Sequence, residues 1–586
     1  MERQWQINPH DAELIEQLES TARVSPIIAQ LLASRGIVKP EAIHKFLTSS
    51  MGDLHDPELL PNIDAAAQVI FDFAKAKKKI FIFGDYDCDG MSGTAILVKG
   101  LKLLQAEVSY FIPNRLEDGY GLSTNAIQDL AKRDCELIVT VDCGVANIEE
   151  VDLANKLGMS VVITDHHEMR DRLPNAAAVV HPSITDSLYP FHGLCGAGVA
   201  FKLIWAIFRR ESGGKKVLPH LREFLVEALG LASIGTVADV VPLTDENRII
   251  VRHGLTSLKA SKQVGIQSLL KVSKLAEKPT LASDDIGFSL GPRLNAAGRL
   301  GQAQLGVELL TTQSFERAEA LSEYIDSLNA SRVSLERSVY LAANKQIKDD
   351  FDAENDAAFV LDGTGWHAGV IGIIAGRIAE KYHKPTIIIS WDKLGIKPGM
   401  GSGRTAGGLR LNEAFIACTE HLLSHGGHAA AAGLKIEHSK LDMFRADFVE
   451  YCSSEMTVDQ KLPTIQIDAE VILSQLTLPM MEQLNRMAPF GQANPRPKFC
   501  AINVEMVGDA QTMGGGDRHL TVTLKQSGKT IRAVAFGKGE WVKEMSAVDG
   551  PIDIVFNPVI NEFRGLKKVE IHLVDWRKSK QLAATA

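Results

Sequence analysis

The segment Ile80-Phe-Ile-Phe-Gly-Asp-Tyr-Asp-Cys-Asp-Gly90 decides the fold of the first part of this 586-residue chain. Its short apolar run is typical of a buried strand, an acidic loop follows directly, and Met91 to Leu104 then have helical spacing. The same strand–helix pattern recurs at three further apolar runs, Leu137-Ile-Val-Thr-Val141, Ser160-Val-Val-Ile-Thr164 and Ala177-Ala-Val-Val180. Buried strands that alternate with helices predict a parallel α/β sheet.

The composition is that of a folded globular protein, with 45% hydrophobic and 23% charged residues. No apolar run approaches the roughly 20 residues that cross a bilayer, and the polar start Met1–Trp5 lacks the apolar core of a signal peptide. These two features predict a cytoplasmic protein without membrane contact. The seven cysteines are scattered without a CxxC pair, which predicts reduced thiols. A net charge of -9 argues against coating nucleic acid by bulk charge, although a local basic groove fits within an acidic total.

Outward from the first sheet, the periodicity changes several times along the chain. A stretch with almost no Gly or Pro predicts a long connecting helix, a second strand–helix pattern follows, and the C-terminal part alternates apolar and polar residues, as small antiparallel barrels do. The predicted fold class is therefore α/β: two α/β domains joined by a long helix, plus an OB-like β-barrel. The predicted domains are an N-terminal helical segment (1–50), the first α/β domain (51–300), the connecting helix (301–350), the second α/β domain (351–455), the barrel (460–577) and a frayed tail (578–586).

Acidic and imidazole side chains follow successive predicted strands of the first domain. Because parallel strands share one edge at their carboxyl ends, we expect these side chains to converge. Crowded acids repel one another and resist burial, so several of them beside imidazoles favour bound divalent cations. Taken singly, Asp142 has an equally good reading as a helix N-cap, and an isolated His pair is more often surface or core. The group comprises Asp85, Asp87, Asp89, Asp142, His166, His167 and Asp239.

Glycine-rich segments that carry cations form a second group of candidates. Their backbone can approach phosphate oxygens closely while guanidinium groups clamp them, so we interpret three of them as phosphate-holding loops; a simple tight turn is the alternative. Tyr120, close to Arg115 in one predicted loop, has the pattern of a base-stacking contact, against the alternative of a tyrosine that anchors a loop. The candidate substrate-binding residues are Arg115, Tyr120, Arg293, Asn295, Arg299, His367, Ser402, Arg404 and His428.

These motifs, in this order, resemble a known family. Asp85-Tyr-Asp-Cys-Asp-Gly, Val141-Asp-Cys-Gly, Asp165-His-His and Gly235-Thr-Val-Ala-Asp are similar to the successive motifs of the DHH phosphoesterase superfamily. Further similarity extends through Gly291–Arg299, Trp366–Gly372, Gly401–Arg404 and Gly426–Gly433 to Pro489-Phe-Gly-Gln-Ala-Asn-Pro. The set as a whole resembles the RecJ family of bacterial single-strand-specific 5′→3′ DNA exonucleases from about residue 50 to 575.

The resemblance implies a two-metal phosphodiesterase with its site between the two α/β domains. Two Mn²⁺ or Mg²⁺ ions would be held by Asp87, Asp89, Asp142, His166 and Asp239. Asp142 would bridge them, Asp85 would be an additional ligand or an acid behind the ligands, and His167 would contact the scissile phosphate. Many superfamily members have a histidine where this chain has Phe83, which favours participation of Asp85. The glycine-rich segments would bind the strand or its 5′ end, and the barrel would help to hold it.

The predicted function is therefore exonucleolytic degradation of single-stranded DNA from the 5′ end to nucleoside 5′-monophosphates, in recombination and repair. Strand polarity and the preference for DNA come from the resemblance alone. The predicted protein partners are single-strand-binding protein and a helicase, and the predicted oligomeric state is a monomer. One alternative is another DHH phosphoesterase that cleaves oligoribonucleotides or cyclic dinucleotides. The other is a non-catalytic single-strand-binding replication scaffold, against which the intact acidic set argues.

Overall fold

The computed structural model describes residues 3–114, 119–185, 187–456, 463–563 and 565–579. The chain divides into two compact units. The first consists of Met1–Arg3, His55–Val241 and His253–Pro463, and the second of Gln4–Leu54, Pro242–Arg252 and Thr464–Ala586. Among the described residues, no helix is both long and apolar enough to span a bilayer.

The strands, in chain order, are β1 (Gln4–Ile7), β2 (Ile80–Gly84), β3 (Val108–Phe111), β4 (Leu137–Val141), β5 (Ser160–Thr164), β6 (Ala178–Val180), β7 (Phe359–Thr364), β8 (Thr386–Trp391), β9 (Gly399–Arg404), β10 (Leu422–Gly427), β11 (Ala431–Ile436), β12 (Thr464–Ile467), β13 (Ala469–Glu470), β14 (Phe499–Met506), β15 (Gln511–Met513), β16 (His519–Gln526), β17 (Lys529–Ala535), β18 (Ile552–Phe563) and β19 (Leu566–Lys578).

The helices are α1 (Ala12–Ala22), α2 (Pro26–Ser34), α3 (Pro40–Thr48), α4 (Ile63–Lys75), α5 (Cys88–Leu103), α6 (Thr124–Lys132), α7 (Ile148–Lys156), α8 (Gly196–Glu211), α9 (Pro219–Ala238), α10 (Asp245–Ala260), α11 (Val264–Val272), α12 (Ser283–Asp285), α13 (Gly291–Arg299), α14 (Ala303–Thr311), α15 (Phe315–Asp350), α16 (Ala368–Tyr382), α17 (Leu411–Ala417), α18 (Leu441–Glu455), α19 (Leu478–Arg486) and α20 (Trp541–Ser546).

The first sheet of the first unit is parallel throughout, in the order β3-β2-β4-β5-β6. This confirms the prediction from the four apolar runs. Strands β2 and β4 are buried along their whole length, as strands covered on both faces must be. A Cβ at Gly93 would lie 2.6 Å from Val141 Cγ1 and 3.1 Å from Ala197 Cα, so this glycine lets α5 pack directly on β4 and α8.

The second sheet of the same unit has the order β10-β11-β9-β8-β7 and is mixed, with only β7 and β8 parallel. The strand–helix pattern predicted after the connecting helix is confirmed, with α16 lying between β7 and β8 in the chain. The connection from the first domain differs from the single long helix predicted over 301–350. A short helix, α14, comes first, and the 36-residue α15 begins after Ser314, whose hydroxyl accepts a hydrogen bond from Arg317 N.

The prediction that the glycine-rich segments form loops is wrong. Gly291–Arg299 is helix α13, Gly401–Arg404 lies in the interior strand β9, and Gly426 and Gly427 end β10. Some of the glycines serve close packing instead: a Cβ at Gly298 would lie 2.1 Å from Tyr86 O, and one at Gly401 would lie 2.6 Å from Leu434 Cδ1. Composition alone does not separate a glycine that turns the chain from one that admits a neighbour.

The second unit contains a seven-stranded sheet in the order β13-β14-β18-β19-β17-β16-β15. An additional pairing of β14 with β16 partly closes it, which confirms the OB-like prediction. The N-terminal helices share its core: Ile28 and Ile43 belong to the same buried cluster as Phe499. β1 also pairs with β12. The N-terminal segment is therefore built into this unit, which its helical spacing did not reveal.

The chain end differs slightly from the predicted tail. Lys578 is the last residue of β19, and the Ser579 hydroxyl donates to Asp553 Oδ1 at 2.6 Å. The remainder of that tail, 580–586, lies outside the described residues.

Candidate metal centre and substrate-binding residues

The acidic loop after β2 is held by its own backbone. Asp87 is the N-cap of α5, and its Oδ1 accepts hydrogen bonds from Asp89 N (2.9 Å) and Gly90 N (3.1 Å). A Cβ at Gly90 would lie 2.5 Å from Asp85 O, so only glycine fits there. Asp85 and Asp89 are almost fully buried. The loop therefore presents three carboxylates from a fixed backbone.

Two helices fix the positions of further acids. The Asp89 carboxylate accepts hydrogen bonds from Gly196 N (2.6 Å) and Ala197 N (2.9 Å) at the N-terminus of α8, where the helix dipole favours negative charge. A Cβ at Gly235 in α9 would lie 2.3 Å from Asp89 Oδ1. Asp239 follows directly as the C-cap of α9. The glycine in the Gly235-Thr-Val-Ala-Asp239 motif thus allows α9 to approach Asp89 and carry Asp239 to the same place.

Asp142, at the end of β4, is held in a backbone conformation that few residues adopt. Its φ angle is 65°, in the left-handed region, and it is 2% exposed. Its N–H donates to Thr164 O (3.0 Å) and its carbonyl accepts from Tyr120 Oη (2.9 Å). The N-cap reading of Asp142 is wrong, because the next helix, α7, begins only at Ile148 with Asn147 as its N-cap.

The two histidines differ in their partners. His166 Nε2 lies 3.1 Å from Asp142 Oδ1, 3.6 Å from Asp239 Oδ2 and 3.9 Å from Asp89 Oδ2. His167 Nδ1 lies 2.8 Å from Asp165 Oδ1 and 2.9 Å from Tyr120 Oη. His166 therefore faces the acids, whereas His167 is oriented by a carboxylate behind it.

The electrostatics of the acids is dominated by burial and mutual repulsion. Burial and the charge of Asp87 raise the pKa of Asp89 to about 6, and burial and Asp89 raise the pKa of Asp239 to about 8. The pKa of Asp142 is also raised well above its ordinary value, by burial and by Asp89. Burial lowers the pKa of His166 to about 4, so its imidazole is neutral at pH 7 and has a lone pair to offer.

The residues present fit divalent cations. Around this site, three sets of side chains have ligand atoms within 4.8 Å of one another: Asp85, Asp87 and Asp142; Asp89, His166 and Asp239; and Asp142, His166 and His167. Within the described part of the chain, neither Asp142 Oδ1 nor His166 Nε2 has a hydrogen-bond partner, although both are buried. Buried groups of this kind are costly unless something binds them, and mixed carboxylate and imidazole donors suit Mn²⁺ and tolerate Mg²⁺.

Four predicted substrate-binding residues converge at the N-terminus of α16. His367 is the N-cap, and its Nδ1 accepts from Gly369 N. Arg299 Nη1 donates to Gly369 O at 3.1 Å, and Arg404 Nη1 donates to Ser402 Oγ at 3.1 Å. A Cβ at Gly372 would lie 2.9 Å from Ser402 Oγ and 3.0 Å from Arg404 Nη2. Two guanidinium groups beside a helix N-terminus can bind a phosphate.

The other predicted substrate residues have different surroundings. Arg293 Nε donates to Asp326 Oδ1 at 2.8 Å, and its Nη1 donates to Ser289 O. Asn295 Oδ1 accepts from Cys88 N at 2.8 Å, which ties α13 to the acidic loop. His428 Nδ1 lies 3.5 Å from Glu168 Oε2, with both side chains exposed. Arg115 lies outside the described residues.

Sequence reasoning gave no role to Asp165, the first residue of the Asp-His-His triplet. Its carboxylate is 1% exposed and accepts hydrogen bonds from the backbone N–H groups of Val145, His166 and His167. Burial opposes its ionisation, but the hydrogen bond and charge of His167 and these N–H groups keep its pKa below the ordinary value. Burial likewise disfavours charged His167, yet Asp165 raises the pKa of His167 to about 9. The available signal was its place directly after a third parallel strand.

The barrel of the second unit exposes an aromatic group directly after β17. Phe536 is 57% exposed, and its ring lies 5.4 Å from that of His519 and 5.0 Å from that of His572. Exposed rings on such a sheet can stack on nucleobases.

Comparison with protein families assigns three regions of the chain. Residues 79–235 match the DHH family N-terminal domain, residues 355–454 match the DHHA1 domain, and residues 467–575 match the RecJ OB domain. These regions coincide with the parallel sheet, the mixed sheet and the barrel.

Curated relatives and solved structures match over almost the whole chain. The single-stranded-DNA-specific exonuclease RecJ of Dickeya dadantii is 35% identical, over 93% of this chain and 95% of that protein. The protein of the same name from Escherichia coli is 32% identical, over 97% and 98%. The crystal structure of RecJ in complex with Mn²⁺ from Thermus thermophilus superposes with a TM-score of 0.82 at 29% identity, over 98% of this chain and 80% of that one. A Mg²⁺ complex from the same organism gives a TM-score of 0.76 at 28% identity, over 98% and 79%.

Proposed function

The chain belongs to the RecJ family of single-stranded-DNA-specific exonucleases, and from this premise we propose that it degrades single-stranded DNA from the 5′ end to nucleoside 5′-monophosphates. The observation that carries the proposal is the buried cluster around Asp142, in which His166 Nε2 and Asp142 Oδ1 lie 3.1 Å apart with no hydrogen-bond partner in the described chain. Such a cluster is suited to hydrolysis assisted by divalent cations.

The ligand set follows from the three groups of side chains. Asp85 and Asp87 would hold one Mn²⁺ or Mg²⁺ ion, Asp89, His166 and Asp239 would hold the other, and Asp142 would contribute to both. Two such ions, when bound, offset the carboxylate charges, polarise the scissile phosphate and make water a better nucleophile. The protein contributes fixed geometry, because Asp87 and Asp89 are each anchored by two backbone N–H groups. The carboxylates are thus positioned before the substrate arrives.

His167 is proposed to contact the scissile phosphate. Its Nδ1 is directed to Asp165, and its side chain is 38% exposed, so the ring is accessible from solvent. In the metal-free protein, burial lowers and Asp165 raises the pKa of His167, to about 9, so that both ring nitrogens are protonated at neutral pH. A cationic donor at this position would neutralise negative charge on the phosphate during the reaction.

Arg299, His367, Ser402 and Arg404 are proposed to bind the 5′-terminal phosphate. Replacing Arg404 by alanine should weaken binding of 5′-phosphorylated strands about tenfold to a hundredfold, because charge-assisted hydrogen bonds contribute about 1.5–3 kcal/mol. Strands with a 5′-hydroxyl should be affected much less. The measurement is the Kd of both strands at one salt concentration.

The matched control for Arg404→Ala is Arg410→Ala. Arg410 lies in the same domain and pairs on the surface with Glu413. Its removal should change neither Kd. Equal losses on both strands in Arg404→Ala would show that Arg404 binds an internal phosphate instead.

The function itself is tested by a nuclease assay with Mn²⁺ or Mg²⁺ on single strands labelled at the 5′ or the 3′ end. Degradation from the 5′ end releases the 5′ label at once as a mononucleotide, whereas a 3′ label is first seen in a ladder of shortened strands. Duplex DNA, oligoribonucleotides and a cyclic dinucleotide serve as comparison substrates. Preferential cleavage of the oligoribonucleotide or the cyclic dinucleotide would favour the other phosphoesterase activity, and binding of single strands without cleavage would favour the scaffold. Preferential cleavage of duplex DNA would contradict the proposal.

Those alternatives are less well supported. The match to RecJ relatives covers nearly the full length of both chains, including the OB domain, and the acidic set is complete. The substrate is therefore taken to be a single-stranded DNA polymer, with the exposed Phe536 of the barrel as a further contact. Interaction with single-strand-binding protein or a helicase, the monomeric state and the cytoplasmic location stay predictions.

A further inference from the structure

Tyr120 shows a contact that its predicted base-stacking role does not require. Its hydroxyl donates a hydrogen bond to the Asp142 carbonyl at 2.9 Å. The same oxygen lies 2.9 Å from His167 Nδ1, which in turn lies 2.8 Å from Asp165 Oδ1. One hydroxyl therefore connects the ends of β4 and β5.

The accepting carbonyl belongs to a residue whose backbone needs support. Asp142 has a φ angle of 65°, and residues with a side chain reach this region at a cost unless their surroundings hold them. Its N–H is held by Thr164 O at 3.0 Å. On the side-chain side, a Cβ at Gly196 would lie 2.5 Å from Asp142 Cβ, so α8 packs directly against it. Tyr120 supplies the hydrogen bond at the remaining backbone group.

We infer that Tyr120 is a positioning residue of the metal centre: its hydroxyl fixes the Asp142 backbone, and through it the carboxylate proposed to contact both cations. The inference rests on the proposed metal centre. Tyr120 is 46% exposed, so its ring can also contact a base. The role inferred for the hydroxyl is independent of that contact. Outer groups that orient a ligand typically change metal affinity by 10- to 100-fold.

The test compares Mn²⁺ binding by the DNA-free protein, measured by isothermal titration and by the loss of free-Mn²⁺ signal in electron paramagnetic resonance. Tyr120→Phe keeps the ring, which contacts those of Tyr86 and His167, and removes only the hydroxyl. We expect about a tenfold weaker Mn²⁺ affinity. The rate should recover at saturating Mn²⁺, and DNA binding in EDTA should be unchanged. Tyr120→Leu should weaken Mn²⁺ binding by the same factor as Tyr120→Phe.

Two controls make the outcome decisive. Tyr324→Phe removes a hydroxyl from a tyrosine of similar exposure, 45%, on α15, and should bind Mn²⁺ like the wild type. Asp142→Asn should lose most Mn²⁺ binding. Suppose that Asp142→Asn loses Mn²⁺ binding but Tyr120→Phe binds Mn²⁺ normally, whether or not Tyr120→Leu is impaired. The inference about the hydroxyl is then overturned, while the metal centre stands. If wild type and Asp142→Asn bind Mn²⁺ alike, the proposed centre itself is wrong.

Discussion

Strands β4 and β5 run side by side in the parallel sheet, and each is followed by a buried aspartate. Asp165, after β5, accepts hydrogen bonds from three backbone N–H groups and is paired with His167, and its pKa is lowered. Asp142, after β4, has an oxygen with no hydrogen-bond partner in the described chain, and its pKa is raised. Both side chains are buried to the same extent, but only the Asp165 carboxylate has protein hydrogen-bond donors on both oxygens.

The difference distinguishes a structural charge from a binding charge. A buried carboxylate surrounded by donors already has the interactions that offset its desolvation, so it fixes the local structure. A buried carboxylate among other acids keeps its desolvation cost until a cation arrives. Asp142 and Asp165 therefore form a natural pair for isosteric substitution, because Asp→Asn removes the charge and keeps the shape at both places.

Asp142→Asn should have the largest effect on catalysis. Asparagine tolerates the left-handed backbone, so the change tests the charge alone. We expect hydrolysis to fall by at least about 10³-fold, since stabilisation of transition-state charge by bound cations is worth several kcal/mol. In EDTA, however, Tm should rise, because one of several repelling carboxylates is gone. Rates are measured with a 5′-labelled strand and Tm by calorimetry.

A fall of Tm in EDTA for Asp142→Asn would contradict the comparison, since it would mean that the Asp142 charge is already compensated within the protein. Near-normal turnover with unchanged Mn²⁺ content would contradict its assignment as a ligand. The matched variant is Asp165→Asn, for which the expected changes in stability have the opposite sign.

Asp165→Asn should have a smaller effect on the rate and a clear effect on stability. The amide leaves one of the four donors around position 165 without an acceptor, and hydrogen bonds to a charged group contribute about 1.5–3 kcal/mol each. We expect the unfolding free energy of this region to fall by about that amount. Looser orientation of His167 should reduce the rate about 10- to 100-fold. A stable Asp165→Asn protein with wild-type activity would remove the distinction drawn here.

The sequence predicted this site because its signal is local. The proposed ligands Asp85, Asp142 and Asp239 each come directly after a strand or helix that the apolar pattern identifies, and His166 comes one residue later than that. The pattern therefore predicts that these four side chains meet at one sheet edge. The same periodicity identified the mixed sheet and the barrel. Such patterns predict which residues follow the ends of neighbouring strands and helices.

Features that depend on non-local packing could not be predicted. Gly401 and Gly298 look the same in sequence as loop glycines, but they make room for Leu434 Cδ1 and Tyr86 O, which lie far away along the chain. Arg293 carries the same charge as Arg404, yet Asp326 on α15 pairs with it. The shared core of the N-terminal helices and the barrel joins residues that are more than 400 positions apart, such as Ile28 and Phe499. No periodicity encodes such contacts.

The pH dependence of the stability of the metal-free protein is the smallest expected effect. It tests the acidic cluster around Asp142 and the paired Asp165 in one experiment. Asp89 and Asp239, with pKa values of about 6 and about 8, are raised above their unfolded values near 4, so their folded states bind more protons. Their contribution to stability is fully present below about pH 4 and is lost as the pH rises through 6 and 8. The lowered pKa of Asp165 acts in the other direction: its contribution is present above about pH 4 and is lost as the pH falls through its folded pKa.

Metal-free Tm should therefore decline from about pH 5 to 8.5, and a second decline should appear on the acidic side below about pH 4. Mn²⁺ affinity should rise over the same neutral range, by up to about tenfold per pH unit for each proton displaced, because the cation competes with protons on Asp89 and Asp239. Asp142→Asn should flatten the neutral slope, since it removes a carboxylate whose own pKa is raised by burial and by its acidic neighbours. Asp165→Asn should flatten only the acidic limb. Loss of both slopes in one variant would show that the two strand ends titrate as a single network, and that the separation between the structural carboxylate and the binding carboxylate is not real.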